Sequence, residues 1–247
     1  RAVQVVAVVP TYNEAENLAE LVELLRKAVP DIGVLVVDDD SPDGTAAVAR
    51  RLGDDLGAVD VLVRADRRGL GSAYRDGYRR AIDGGADVCV QIDADLSHDP
   101  ADLPALLANV DHGADLAIGS RYVPGGRTEN WSWKRRWLSR WGNRYAAGLL
   151  GLAVNDATAG YRAYRADALE TMGFEEVTAE GYGFQIEMTH RLVRAGGRIV
   201  EFPIDFRDRR AGESKLSQGI VGEAMGLVLR LWLADRRGRR TRRRLNG

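Results

Sequence analysis

Cysteine is almost absent from this chain of 247 residues, with Cys89 the single example. No internal disulfide can form, so the fold must rest on its core, and a reducing compartment is expected. Cys89 itself reads as a small buried residue. Long hydrophobic runs are missing too. No window reaches the roughly 20 apolar residues that span a bilayer. The most apolar late segment, Gly222–Ala234, is short and carries Glu223 and Arg230. No signal-peptide pattern is visible, and Arg1 in place of methionine suits a trimmed chain. The first strand-to-helix turn lacks both G-x-G-x-x-G and a Walker lysine motif, which disfavours a dinucleotide dehydrogenase, a P-loop kinase and a nucleotidyltransferase. A strong charge of one sign is also lacking, since the formal net charge is −1. That balance hides an asymmetry. Arg236–Gly247 holds seven arginines and no acid, which leaves 28 bases against 36 acids, or −8, for residues 1–235. The acidic body argues against a nucleic-acid partner, which normally meets a broad basic face.

What is present alternates. Val3–Val9 is a β-type run ended by Pro10, and Leu18, Leu21, Val22 and Leu25 recur at helical spacing over Ala15–Ala28. Asn13 with Glu16 resembles a capping box. Strands are expected at Val34–Val37, Ala58–Val63, Val88 onwards and Leu116–Gly119, with helices at Thr45–Leu52, Ser72–Ile82 and about Ala101–Val110. This order predicts an α/β fold, a mostly parallel sheet with helices on both faces, in one domain over 1–235. A disordered basic tail is expected over 236–247.

Ligands of such sheets bind beyond the carboxyl ends of the strands. Three polar clusters fall there: Tyr12 with Glu14, Asp38 with Asp39, and Asp93 with Asp95. The run Val88-Cys89-Val90-Gln91-Ile92 stops at Asp93-Ala94-Asp95. Residues i and i+2 of an extended segment point the same way, so the two carboxylates can converge. Between them a hard divalent cation, Mg²⁺ or Mn²⁺, fits as the cofactor. A plain polar loop is the alternative for D-x-D alone.

The second half differs. Arg121 ends a strand, where its fork of donors suits a phosphate or pairs a nearby carboxylate. Trp133, Trp137 and Trp141 form one stripe of a helix within Trp131–Leu150, beside Arg136, Arg140 and Arg144. Such a stripe suits a lipid headgroup layer or a core-facing seam. Asp156–Gly160 is a small-residue loop, and Tyr182–Arg194 a helix. Ile199–Phe202 and Ile204–Phe206 flank Pro203 as an interrupted edge strand. Arg209–Lys215 reads as a loop able to close over phosphates, or as a solvated charge run. Ser217–Ala234 forms a last, partly amphipathic helix.

Taken together, Pro10-Thr11-Tyr12-Asn13-Glu14, Val37-Asp38-Asp39-Asp40-Ser41-Pro42-Asp43-Gly44-Thr45, Gly69-Leu70-Gly71, Asp93-Ala94-Asp95-Leu96-Ser97-His98, Gly119-Ser120-Arg121-Tyr122 and Gly212-Glu213-Ser214-Lys215-Leu216 occur in an order that resembles the dolichyl- and polyprenyl-phosphate mannose synthases. The resemblance covers nearly all of residues 3–235. It implies a Rossmann-like GT-A fold with C-terminal amphipathic helices, and an inverting, metal-dependent transfer of mannose from GDP-mannose to a polyprenyl phosphate. By the same resemblance, Pro10, Tyr12, Glu14, Val37 and Asp39 line the nucleoside pocket. Asp93, Ala94 and Asp95 meet the diphosphate and sugar, and Asp93, Asp95 and Ser97 hold the metal. Arg121, Arg209 and Lys215 bind donor phosphates, and Asp95 and Arg121 are the catalytic pair. Lys134, Arg135, Ser139 and Arg140 fall near the acceptor, whose phosphate is met by Arg121, Arg135, Arg140 and Ser214. The expected setting is the cytoplasmic face of a membrane, bound peripherally, with a membrane-protein partner left open. A polyprenyl-phosphate glucose synthase using UDP-glucose and a non-catalytic, membrane-docked nucleotide-sugar binder are the competing expectations.

Overall fold

The computed structural model describes residues 2–65, 69–207 and 218–245, with side chains of the last helix described over 222–237. Strand and helix alternate as β1 (Val5–Thr11), α1 (Ala15–Ala28), β2 (Gly33–Asp38), α2 (Thr45–Leu56), β3 (Val59–Val63), α3 (Leu70–Asp83), β4 (Val88–Gln91), α4 (Leu103–Asp111) and β5 (Leu116–Ser120). There follow β6 (Arg127–Thr128), α5 (Trp133–Leu150), β7 (Arg162–Arg165), α6 (Ala166–Met172), α7 (Gly181–Arg194), β8 (Ile199–Pro203), β9 (Asp205–Phe206) and α8 (Gln218–Leu245). Seven strands form one sheet in the order β3-β2-β1-β4-β7-β5-β8. All neighbours are parallel except β7, which runs antiparallel to both β4 and β5. The interrupted strand at Pro203 is at the sheet edge, where a residue without an N–H is tolerated.

Burial on both sheet faces explains the apolar strands. Ala7 and Val9, Val34 and Val36, and Val88 and Val90 pack on the core beneath α1 and α4. Val8, Leu35, Val37 and Cys89 alternate with them onto the opposite core, with Tyr74, Tyr78 and Phe184. Burial pushes the Cys89 thiol up to about 12, so it stays protonated. Close seating of α3 depends on Gly77, where an added Cβ would lie 2.3 Å from Val8 Cγ1.

Two expectations are corrected. Asn13 does not cap α1; its φ is +62°, and the helix start is capped from another loop. Ser41 Oγ, Thr45 Oγ1 and Asp43 Oδ2 accept from the N–H groups of Asn13, Glu14 and Ala15, each at 3.0 Å. The turn Ser41–Thr45 thereby fixes the first strand-to-helix bend. The last helix does not stop at Ala234. It continues to Leu245. No proline follows Ser217 to break the helix.

Candidate active site

A cleft of about 540 Å³ opens beyond the carboxyl ends of β1, β2, β4 and β5. One wall carries Pro10, Tyr12, Glu14 and Asp39; the floor carries Asp93, Ala94, Asp95, Ser97 and His98; the far wall carries Arg121, Trp131 and Arg135. Gly69, Leu70, Glu180, Tyr182 and Gln185 close the side formed by α3 and α7, and Glu223 reaches it from α8.

Of Asp38-Asp39-Asp40, only Asp39 faces the cleft. Asp38 is buried and structural, accepting from Thr11 Oγ1 at 2.8 Å, Ser41 N at 2.9 Å and Ser41 Oγ at 2.6 Å. Asp39 is gripped by the buried guanidinium of Arg64, whose Nε donates to Oδ1 at 2.6 Å. Arg64 also donates to Ser72 Oγ at 2.5 Å and Asp76 Oδ2 at 3.0 Å, which ties the β2 end to α3.

Asp93 and Asp95 both reach the cleft, but not for the expected reason. β4 ends at Gln91, and the acids sit in the turn after it, where Leu96 has φ +58°. Tyr74 Oη donates to Asp93 Oδ1 at 2.9 Å, and Ser97 N donates to Asp95 Oδ1 at 3.1 Å. Burial, then the negative charge of Asp93, drives the Tyr74 phenol well above its ordinary value, so it stays a donor. Two carboxylates on one floor offer hard oxygen donors of the kind Mg²⁺ and Mn²⁺ take, with substrate phosphates filling other positions. The described residues hold no group of three or more His, Cys, Asp or Glu side chains that could bind a metal alone. The donor set therefore fits a cation shared with a diphosphate. Ser97 lines the same floor, with Oγ 3.4 Å from His98 Nδ1.

Arg121 is both at the cleft and deeply paired. It is 6% exposed, and Nε and Nη2 clasp Asp156, itself 0% exposed, at 2.7 and 2.6 Å. Nη2 also donates to Thr158 Oγ1 at 2.9 Å. Burial works against both charges, but each partner overrides it: Arg121 rises above its usual value and Asp156 falls below its own. The loop that carries Asp156 and Thr158 is held on three sides. Glu201 accepts from Asp156 N, Asn143 on α5 exchanges hydrogen bonds with Thr158, and Arg162 Nη2 and Nε donate to Ala157 O and Ala159 O at 2.7 Å. The small-residue loop is thus a rigid shelf behind Arg121.

The rings of Trp131, Phe206 and Tyr122 surround the Arg121 guanidinium, and Arg135 stacks on Trp131 at 4.0 Å. Tyr122 Oη donates to Ser139 Oγ at 2.6 Å. Arg140 stands outside the cleft, 5.4 Å from the Tyr122 ring centre, and Lys134 lies 5.7 Å from the Trp133 ring. Val37 is another departure: its side chain is fully buried in the core and does not line the cleft. Arg209, Ser214 and Lys215 lie outside the described residues.

The α3 start is built by α7. Gly71 N donates to Glu180 Oε2 at 2.6 Å and Ser72 N to Glu180 Oε1 at 3.1 Å, so Glu180 caps the helix. A Cβ at Gly71 would meet Ala179 O at 2.7 Å, which accounts for glycine there. Sequence reasoning missed Arg64, Tyr74, His98, Trp131, Thr158, Glu180, Tyr182, Gln185, Phe206 and Glu223 as parts of this site. Gly69-Leu70-Gly71 was the one available hint, since paired glycines mark a close approach that something must fill.

The tryptophan stripe is resolved as exposed. Trp133 is 72% and Trp137 63% exposed, whereas Asn143, Ala146 and Leu150 form the buried side of α5. On α8, Met225, Leu229 and Leu233 form a second exposed apolar face. Among the described residues no helix is long and apolar enough to cross a membrane.

Comparison with known proteins agrees with this architecture. The profile of glycosyl transferase family 2 matches residues 6–173. An undecaprenyl-phosphate mannosyltransferase of Micrococcus luteus is 50% identical over 233 residues, 94% of this chain and 96% of that protein. A polyprenol monophosphomannose synthase of Mycolicibacterium smegmatis is 48% identical over 219 residues, 88% and 83% of the two chains. Among solved structures, glucosyl-3-phosphoglycerate synthase from Mycobacterium tuberculosis, in complex with Mn²⁺, UDP-glucose and glycerol 3-phosphate, aligns with a TM-score of 0.67 at 20% identity. The alignment covers 94% of this chain and 80% of that one, and it establishes the fold. The chain belongs to glycosyl transferase family 2, with the GT-A fold, among the polyprenyl-phosphate mannosyltransferases.

Proposed function

We propose that this enzyme transfers mannose from GDP-mannose to the phosphate oxygen of a polyprenyl phosphate, inverting the anomeric centre to give a β-linked mannosyl phosphate and GDP. One observation carries the proposal: an acid pair, Asp93 and Asp95, and two arginines, Arg121 and Arg135, line one cleft. The acids suit a metal-bound diphosphate, and the arginines suit a second, separate phosphate.

In this reading Pro10, Tyr12, Glu14 and Asp39 hold the nucleoside. Asp93 and Asp95 hold Mg²⁺ or Mn²⁺, which when bound supplies positive charge against the leaving diphosphate. The acceptor phosphate is anionic near neutral pH, so no side chain has to remove a proton. The chain's work is then to place two anions in line and to exclude water. Arg121 keeps its orientation through Asp156 and Thr158 and presents charge to the acceptor phosphate. Arg135, stacked on Trp131, does the same from α5. Arg140 and Ser214 supplement the acceptor side, and Arg209 and Lys215 the departing GDP, on the strength of the resemblance alone.

The lipid acceptor asks for a membrane surface. Trp133 and Trp137, with Lys134 and Arg136 beside them, provide an apolar and cationic face of the kind that enters a headgroup layer. We assign peripheral binding at the cytoplasmic face to this surface. No nucleic-acid partner is assigned.

Incubating the protein with Mg²⁺, a short polyprenyl phosphate and, in parallel, GDP-mannose, UDP-glucose or UDP-GlcNAc tests the proposal. Mannosyl lipid from GDP-mannose alone supports it. Glucosyl lipid from UDP-glucose would replace it with the glucose synthase. GDP binding without any lipid product would leave a non-catalytic binder.

A further inference from the structure

We infer that Gln185, near the start of α7, reads a hydroxyl group of the transferred hexose; the inference deepens the reaction proposed above and rests on it. Gln185 is 4% exposed and lines the cleft. Its Oε1 is buried without a hydrogen-bond partner among the described residues. A buried carboxamide acceptor that the protein leaves unsatisfied is uncommon, and at a binding cleft its natural complement is a ligand. The group is both donor and acceptor, which suits a sugar hydroxyl better than a phosphate.

Its position selects the sugar rather than the nucleoside. The neighbouring Phe184 stacks on Tyr74 with ring centres 5.9 Å apart, and Tyr74 Oη bonds Asp93. Gln185 O accepts from Arg162 Nη1 at 3.2 Å, and Arg162 lies on β7. In the sheet β7 neighbours β4 on the side away from β1, and Pro10 and Tyr12 belong to the β1 side. The carboxamide therefore stands past the acid pair, where a hexose extends beyond its diphosphate. The backbone anchors are rigid, so the side chain is presented from a fixed frame.

Gln185→Ala and the volume-matched Gln185→Met test this, each assayed with GDP-mannose and its 2-, 3-, 4- and 6-deoxy analogues. Both variants should lose about 10–100-fold in kcat/KM for GDP-mannose. Affinity for GDP with Mn²⁺ should stay within about twofold, and the melting temperature should not fall, because the removed group was unsatisfied. For one deoxy donor the variants and the wild type should be equally poor, since the contact is already gone; the other three should show the full loss. Equal losses for all four analogues, or a parallel fall in GDP affinity and melting temperature, overturn the inference. A wild type that transfers mannose without any such coupling refutes Gln185 alone. A wild type that transfers none refutes the reaction, and this inference with it.

Discussion

Removing the Arg121 guanidinium should cost the fold as much as it costs the reaction. Arg121→Ala strands Asp156, which is 0% exposed and would keep the Thr158 hydroxyl and the backbone N–H of residue 121 but no direct guanidinium partner. Breaking one side of a buried ion pair costs about 3–5 kcal/mol. For a domain of this size, where each kcal/mol moves Tm by about 2–4 °C, the melting temperature should fall by about 6–20 °C. Asp156→Ala should lose a comparable amount, because it leaves Arg121 buried with a single hydroxyl partner. The apolar pair Arg121→Met with Asp156→Leu removes both charges together, so its loss should be much smaller than the sum of the single losses. Differential scanning calorimetry on the four proteins reads this directly. The pH dependence has a definite sign. Asp156 is held below its unfolded value of 3.8, so its contribution is fully present above that pH and fades as pH falls through the lower folded value. A melting temperature of Arg121→Ala within about 2 °C of wild type, or single losses that simply add, would refute the buried clasp. Acceptor kinetics of Arg121 variants then have to be taken well below their own transitions; there, acceptor use should fall more than GDP affinity.

Asp95→Ala should lower transfer on the order of 100-fold or more while the melting curve stays unchanged; full activity restored by extra Mg²⁺ would count heavily against the acid pair as a metal site. Asp102 is pushed up to about 6, first by burial and then by Asp99 and Asp205. Its contribution is complete below pH 3.8 and is lost as pH rises through about 6, so Asp102→Asn should melt higher than wild type above pH 6 and alike below pH 4. Thermal melts across pH 3.5–8 check this, and an unchanged difference over that range would defeat it. Trp133→Ala and Trp137→Ala should each weaken sedimentation with vesicles containing anionic lipid, by about tenfold, without altering GDP affinity. Equal sedimentation of variant and wild type would reassign the stripe to a protein neighbour.

The fold was legible where local periodicity and global packing agree. The apolar strands before Pro10, Asp38 and Asp93 are buried on both faces, so their composition alone announces a parallel sheet. β7 was missed because Arg162-Ala163-Tyr164-Arg165 reads as polar, and because its arginine is satisfied inside the protein by carbonyls and hydroxyls that only the tertiary structure supplies. The site was legible along the strand ends, where each motif is contiguous. It was illegible across the cleft. Glu180 caps a helix that begins 110 positions earlier in the chain, at Leu70, and Arg64 clamps Asp39 from the end of another strand. Nothing in the local spacing of either residue marks such a partnership.

The two choices posed for Arg121, phosphate ligand or partner of a carboxylate, do not exclude each other once the geometry is known. A guanidinium with one edge locked on Asp156 loses little further freedom when an anion meets another edge. The aromatic wall of Tyr122, Trp131 and Phe206 keeps competing water from that charge and strengthens its field on whatever lies in the cleft. The acids on the floor accept from neutral donors, Tyr74 Oη and Ser97 N. In the proposed reaction, a diphosphate carrying its cation suits the two carboxylates, and a bare phosphate suits the arginines. This division of charge, more than any single residue, is what would sort donor from acceptor in one cleft.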